Sequence, residues 1–248
     1  MANLNLNLRR RELYVNDEGN HDWRDVVETQ SVAADRVGLI LCDLWSYHYC
    51  TGAAKRLDAM IPKMNDVVCA ARDKGAVIMH APSNLMEMYA DNPARQRAVA
   101  IERAPLPPMA DHDDPPSPVP YGEGNECDTP DCPIEKKYGT QHPGMHIDAD
   151  RDYILEEGDI AYSVAQKHKL ERVIMLGVHT NYCCLHRQFG IKNMVRWGVP
   201  IALMRDLTDA IYNPATRPYV SQAEGTQLVI RYIESFWCSS LLSDDVAG

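Results

Sequence analysis

The stretch Arg172-Val-Ile-Met-Leu-Gly-Val-His-Thr-Asn-Tyr-Cys183 decides the fold. Its unbroken apolar run, Val173 to Leu176, lacks the polar alternation of a half-solvated strand. It reads as a strand buried on both faces, as in a parallel sheet. Gly177 ends the run, and a helix is expected from about Asn181 to Trp197, closed by Gly198. A second stretch of the same kind, Val37-Gly-Leu-Ile-Leu-Cys-Asp43, ends in an aspartate. Parallel neighbours need long crossovers, so helices are expected between such strands.

The rest of the chain supplies them. Leu57, Met60, Ile61, Met64, Val67, Val68 and Ala71 recur at helical spacing, and Lys74-Gly75 closes that stripe. Ala76 to His80 reads as a strand, Ile134 to Lys137 as a short one, residues 157–169 as a helix, and Pro200 to Asp206 as a strand. Gln222 to Phe236 reads as a short strand or turn with a final helix. The alternation predicts a three-layer α/β/α fold: a Rossmann-like sheet of about six mainly parallel strands, with helices on both faces. Residues 1–34 read as an irregular N-terminal arm, with Trp23 as an anchor on the main domain or on a neighbouring subunit. Residues 35–248 read as one domain. Within it, residues 104–132 are dense in Pro, Asp and Gly and are expected to be a long loop or lid. Ligands of such sheets bind beyond the carboxyl ends of the strands, where this reading puts Asp43, His80, Lys137, Gly177 and Asp206.

Bulk properties narrow the function. The formal net charge of −10 argues against nucleic-acid binding, which needs a basic face. No run is apolar enough to span a bilayer. The first residues lack the apolar core of a secretory signal. The eight cysteines fall at irregular spacings, which argues against a disulfide framework. A reducing, cytoplasmic setting is expected, with a small molecule rather than nucleic acid or membrane as the partner.

Cys183 follows a strand and a Gly-led turn and opens a helix. A helix N-terminus carries partial positive charge and unsatisfied N–H groups, which favour a thiolate and can receive an oxyanion. On that context alone, Cys183 reads equally as a nucleophile and as a small buried apolar residue. Asp43 reads as a base for its proton or as a cap. Lys137 reads as an orienting cation or as a solvated surface charge. Cys127 and Cys132 read as two incidental thiols of a loop rather than half of a zinc site, and Asp111-His-Asp-Asp114 as a solvated loop face.

An aspartate after a buried first strand, a lysine about ninety residues on, and Gly177-Val-His-Thr-Asn-Tyr-Cys183 before a helix together resemble the isochorismatase-like cysteine hydrolases. These include nicotinamidases, N-carbamoylsarcosine amidohydrolases and ureide hydrolases. The resemblance spans about residues 37–210 and is strongest over Val173–Asp209. It implies a triad of Asp43, Lys137 and Cys183, with Lys136 as the competing lysine. It also implies a cis peptide between Val178 and His179, which aims the His179 N–H, with that of Cys183, at an oxyanion hole. The implied activity is hydrolysis of a small amide, carbamoyl or ureide group by a homo-oligomer without a cofactor. Three departures stand out: His179 where a small apolar residue is usual, Cys184 where valine is usual, and the segment Tyr138-Gly-Thr-Gln-His-Pro-Gly-Met-His146. Trp45, His80, Tyr138, His142 and Tyr182 are the candidate substrate contacts. His80 lies near the metal-binding place of nicotinamidases, but their Asp-x-His spacing is missing, so no metal is expected. The alternatives are isochorismatase-type hydrolysis of a vinyl ether and a non-catalytic interaction module on the same fold.

Overall fold

A computed structural model describes residues 2–130, 132 and 137–248. Its centre is an eight-stranded, mostly parallel sheet in the order β2-β1-β8-β7-β6-β3-β4-β5. The strands are β1 (Asn3–Val15), β2 (His21–Ala33), β3 (Val37–Cys42), β4 (Val77–Ala81), β5 (Tyr153–Ile154), β6 (Arg172–Val178), β7 (Ile201–Asp209) and β8 (Ser240–Leu241). Every residue of β3 is buried, as are all but the first of β6, so both faces of the sheet centre are covered. From β3 the chain builds outward through β4 and β5, then returns to lay β6, β7 and β8 on the other side. The β3/β6 boundary is therefore the point where the winding reverses, and such sheets open a crevice there.

The helices are α1 (Thr51–Lys74), α2 (Pro93–Val99), α3 (Gly158–Lys167), α4 (Cys183–His186), α5 (Ile191–Arg196), α6 (Gln222–Phe236) and α7 (Asp244–Ala247). The predicted apolar stripe of α1 is buried through Leu57, Ile61, Met64, Val67, Val68 and Ala71. Gly75 ends α1 in the left-handed region (φ 108°). Asn92 caps α2 by accepting from the Ala94 N–H at 2.9 Å. Ser221 and Glu224 form a reciprocal capping box at α6.

Four expectations need correction. Residues 3–33 are a long antiparallel hairpin rather than an irregular arm, in register from Asn3 opposite Ala33 to Val15 opposite His21. Its root belongs to the core: Leu4, Leu6 and Leu8 are buried while Asn3, Asn5 and Asn7 are exposed, the period of a one-sided strand. Arg9 pairs with Ser240 of β8 and ion-pairs with Glu234 at 2.9 Å, tying the hairpin to α6. Second, the helix expected over 181–197 is broken into α4 and α5 by Arg187–Gly190. Third, β7 runs on to Asp209, with a register shift opposite Met175/Gly177. Asp209 thus stands at the strand's end, while Asp206 is held earlier by Ser243 and Lys63. Fourth, Lys137 lies in no strand, and the remainder of the short strand expected at Ile134 falls outside the described residues. Residues 104–130 carry no helix or strand, as expected of a long loop.

Candidate active site

The ladder between β3 and β6 pairs Cys42 with Gly177, so the residues after each strand emerge side by side. Gly177 permits this approach. It has φ 112°, and a Cβ there would collide with the Cys42 carbonyl oxygen. Asp43 leaves β3 in the left-handed region (φ 52°), and the Val178–His179 peptide is cis.

Polar motif residues fix the turn between β6 and α4. Thr208 donates to the Gly177 carbonyl at 2.8 Å, which leaves its oxygen to accept from Thr180 at 2.7 Å. The Asn181 side chain exchanges two hydrogen bonds with the Ile211 backbone, both at 3.0 Å. The Tyr182 and Cys184 amides both donate to the His179 carbonyl. The Cys183 amide, at the head of α4, has no acceptor among the described residues.

Cys183 is 3% exposed and Asp43 fully buried. The Cys183 thiol and the Asp43 carboxylate lie close enough for each to shift the other's acidity. Asp43 Oδ1 also accepts from the Ser83 N–H at 2.8 Å, and Oδ2 accepts from Arg187 Nε at 3.1 Å. Burial raises the Asp43 carboxyl above its ordinary range; Arg187, the Cys183 thiol and the Ser83 amide pull it back only in part. Burial, then the charge of Asp43, pushes the Cys183 thiol well up, against Arg187 and the His179 N–H. The raised thiol favours a neutral Cys183 at rest. This differs from the thiolate expected at the head of a long helix. The helix is one turn long, and burial outweighs its end.

Among the described residues, Arg187 and not Lys137 lies within ion-pairing distance of Asp43. Lys137 is exposed, and Lys136 falls outside the described residues. Arg187 follows α4 directly and its extended backbone (ψ 162°) ends that helix. Sequence reasoning missed it. A cation four positions after the candidate nucleophile, one helical turn on, was the available signal.

One wall is aromatic. Trp45 packs on Tyr138 (ring centroids 4.6 Å apart) and stacks on His48 (5.5 Å). His48 meets His179 edge-on, with their Nε2 atoms 3.1 Å apart. Burial pushes the Tyr138 hydroxyl up to about 12, with Cys183 and Tyr182 adding to it. Trp45 and Tyr138 thus join the site, and the His179 side chain belongs to this wall. The Trp45 indole N–H is buried without an acceptor among the described residues. Tyr182 is 43% exposed beside Tyr121, at the edge of the long loop.

Two other candidates have different employment. His80 is buried between Asp152, 2.9 Å from Nε2, and Gln141, 2.7 Å from Nδ1. Asp152 in turn takes two hydrogen bonds from Arg72. His142 turns outward, with Nδ1 accepting from the Gly144 N–H and Nε2 beside Asp58. The eight cysteines are all free thiols, Cys127 and Cys132 included. Asp114 is no solvated face: it bonds Lys192 and Tyr232 and so pins the long loop to α5 and α6. No group of three His, Cys, Asp or Glu suited to a metal ion occurs among the described residues, and no described helix is long and apolar enough to cross a membrane. No protein-family model matches the chain, and no curated protein matches it.

Proposed function

We propose that this protein is a cysteine-dependent amidohydrolase that cleaves a C–N bond of a small amide, carbamoyl or ureide through a thioester. The single observation that carries the reading is the buried Cys183 thiol beside the buried Asp43 carboxylate, whose two oxygens are held by the Ser83 N–H at 2.8 Å and Arg187 Nε at 3.1 Å. The resemblance to isochorismatase-like cysteine hydrolases, noted from the sequence, points the same way.

Each step follows from those groups. Asp43, ionised, takes the thiol proton as sulfur attacks the carbonyl carbon. The developing oxyanion is received by the N–H groups of His179 and Cys183. Asp43, now protonated, donates to the departing nitrogen. Ammonia or an amine leaves, and an acyl–sulfur bond remains. Water, relieved of a proton by Asp43, then cleaves the thioester. Burial, which raises the Asp43 carboxyl, favours its holding the proton it takes, and Arg187, which lowers it, favours the ionised form that takes it.

Ammonia release across a panel of small amides, carbamates and ureides, in wild type and Cys183→Ala, tests the proposal. The expected result is release from at least one compound, abolished in the variant while its circular dichroism is unchanged. Release by the folded variant at the wild-type rate refutes it.

A further inference from the structure

We infer that Arg187 is the cation of this centre, a positioning residue that keeps Asp43 ionised and aimed at Cys183. The inference rests on the thiol chemistry proposed above. It gives to an arginine after α4 the part that the sequence resemblance assigns to a lysine.

A fully buried carboxylate needs a counter-charge or it protonates. Arg187 supplies one at 3.1 Å, through Nε on Oδ2. The Ser83 amide holds the other oxygen at 2.8 Å, so the carboxylate plane is fixed from both sides. Arg187 is itself anchored twice. Its Nη1 donates to Asn84 at 3.3 Å, and its backbone N–H donates to the Cys183 carbonyl at 3.0 Å. The second anchor puts the cation on the same helical turn as the thiol, so one short segment sets both partners of Asp43.

The charge balance is equally specific. Proton transfer from Cys183 to Asp43 moves one negative charge from carboxylate to sulfur. Arg187 acts on both groups, so the pair is compensated before and after the transfer. A guanidinium cannot lose its own proton in water's range, so it cannot compete as a proton donor as an ammonium can. Its side chain is 28% exposed, which spares it the full cost of burial.

The test is the pH dependence of iodoacetamide alkylation at Cys183, located by peptide fragmentation that separates it from Cys184. It is run on wild type and on Arg187→Met, Arg187→Gln, Arg187→Lys, Lys136→Met and Lys137→Met. Without the guanidinium, Asp43 protonates at higher pH and cannot take the thiol proton. In Arg187→Met the acid limb should rise by about one to three pH units, the effect of one adjacent charge. The rate at pH 7 should fall about 10- to 100-fold. Arg187→Lys should restore most of both. Arg187→Gln keeps donors without charge and should shift like Arg187→Met, which keeps the test alive if the latter does not fold. A wild-type limb in folded Arg187→Gln overturns the inference, as does a limb that moves in either lysine variant but not in the arginine variants. Separately, a wild-type Cys183 no more reactive than the other seven thiols sinks the nucleophile reading itself, whatever Arg187 does.

Discussion

Replacing Asp152 with alanine strips a buried network of its only anion among the contacts described above. Arg72 loses acceptors for Nε and Nη2, at 2.9 and 2.7 Å, and His80 loses its partner at 2.9 Å. The Asp148 amide, 2.8 Å from Oδ2, loses its acceptor as well. The side chains of Asp152 and Arg72 are 1% and 3% exposed, so water cannot take over these contacts without opening the structure. Removing one partner of a buried pair costs about 3–5 kcal/mol, because the other charge stays behind uncompensated. A solvent-exposed pair costs at most about 1 kcal/mol. Against a total stability of about 5–15 kcal/mol, the larger figure leaves a marginal fold. Urea titration followed by tryptophan fluorescence measures the difference. The pH dependence provides a second arm. Burial pushes the Asp152 carboxyl up, but the bonds from His80 and Arg72 outweigh it and bring it down to about 2. A depressed carboxyl contributes stability above its unfolded value near 4, and that stability is lost as pH falls toward 2. His80 is lowered by burial, so its neutral form adds a loss that begins as pH drops below its unfolded value near 6.5. Wild type should therefore weaken progressively below about pH 6.5 and more steeply below about 4, and Asp152→Asn should flatten the steeper limb. A cost under about 1 kcal/mol for Asp152→Ala, or an unchanged acid limb in Asp152→Asn, would refute the reasoning.

Other expectations follow from the same structure. Gly177→Ala combines a left-handed φ with a collision at Cys42, so it should cost about 2–5 kcal/mol in chemical denaturation and lower any amide turnover with it. Asp43→Asn cannot accept the thiol proton, and kcat should fall about 10²- to 10⁴-fold. In wild type the acid limb of kcat/KM should lie above the ordinary carboxylate range, because burial raises Asp43; a limb within that range contradicts Asp43 as the base. Ser221→Ala removes the α6 cap and should cost about 1 kcal/mol in a thermal melt without touching kcat.

Much of this architecture can be read from residues 37–43 and 172–183, because a strand buried on both faces writes itself as an unbroken apolar run. The hairpin was missed although Asn-Leu-Asn-Leu-Asn-Leu over 3–8 alternates with period two. Its outer half, with Leu13 and Val27 exposed, carries no one-sided pattern to extend that signal. The break after His186 was illegible for another reason. Arg187 leaves the helix for a tertiary partner, Asp43, and local propensity holds no record of it. His80 looked like a site residue because it ends a strand, yet its ring is claimed by Asp152, a residue 72 positions later. What distance in sequence hides, side-chain chemistry cannot restore alone: Trp45 and Tyr138 were nameable as candidates, but the His48–His179 contact needed the fold.

The β3–β6 ladder also has a kinetic meaning. The thiol and the carboxylate come from segments roughly 140 positions apart and meet only when Cys42 reaches Gly177. A nascent or denatured chain thus carries eight ordinary sulfhydryls, none yet singled out for chemistry. Such distant pairings form late, after the entropy of closing a long loop has been met. The Cys183 sulfur, once set beside Asp43, is then a clock for central-sheet closure. During refolding, its selective labelling should start with the last long-range pairing rather than with the helices, which form from local contacts.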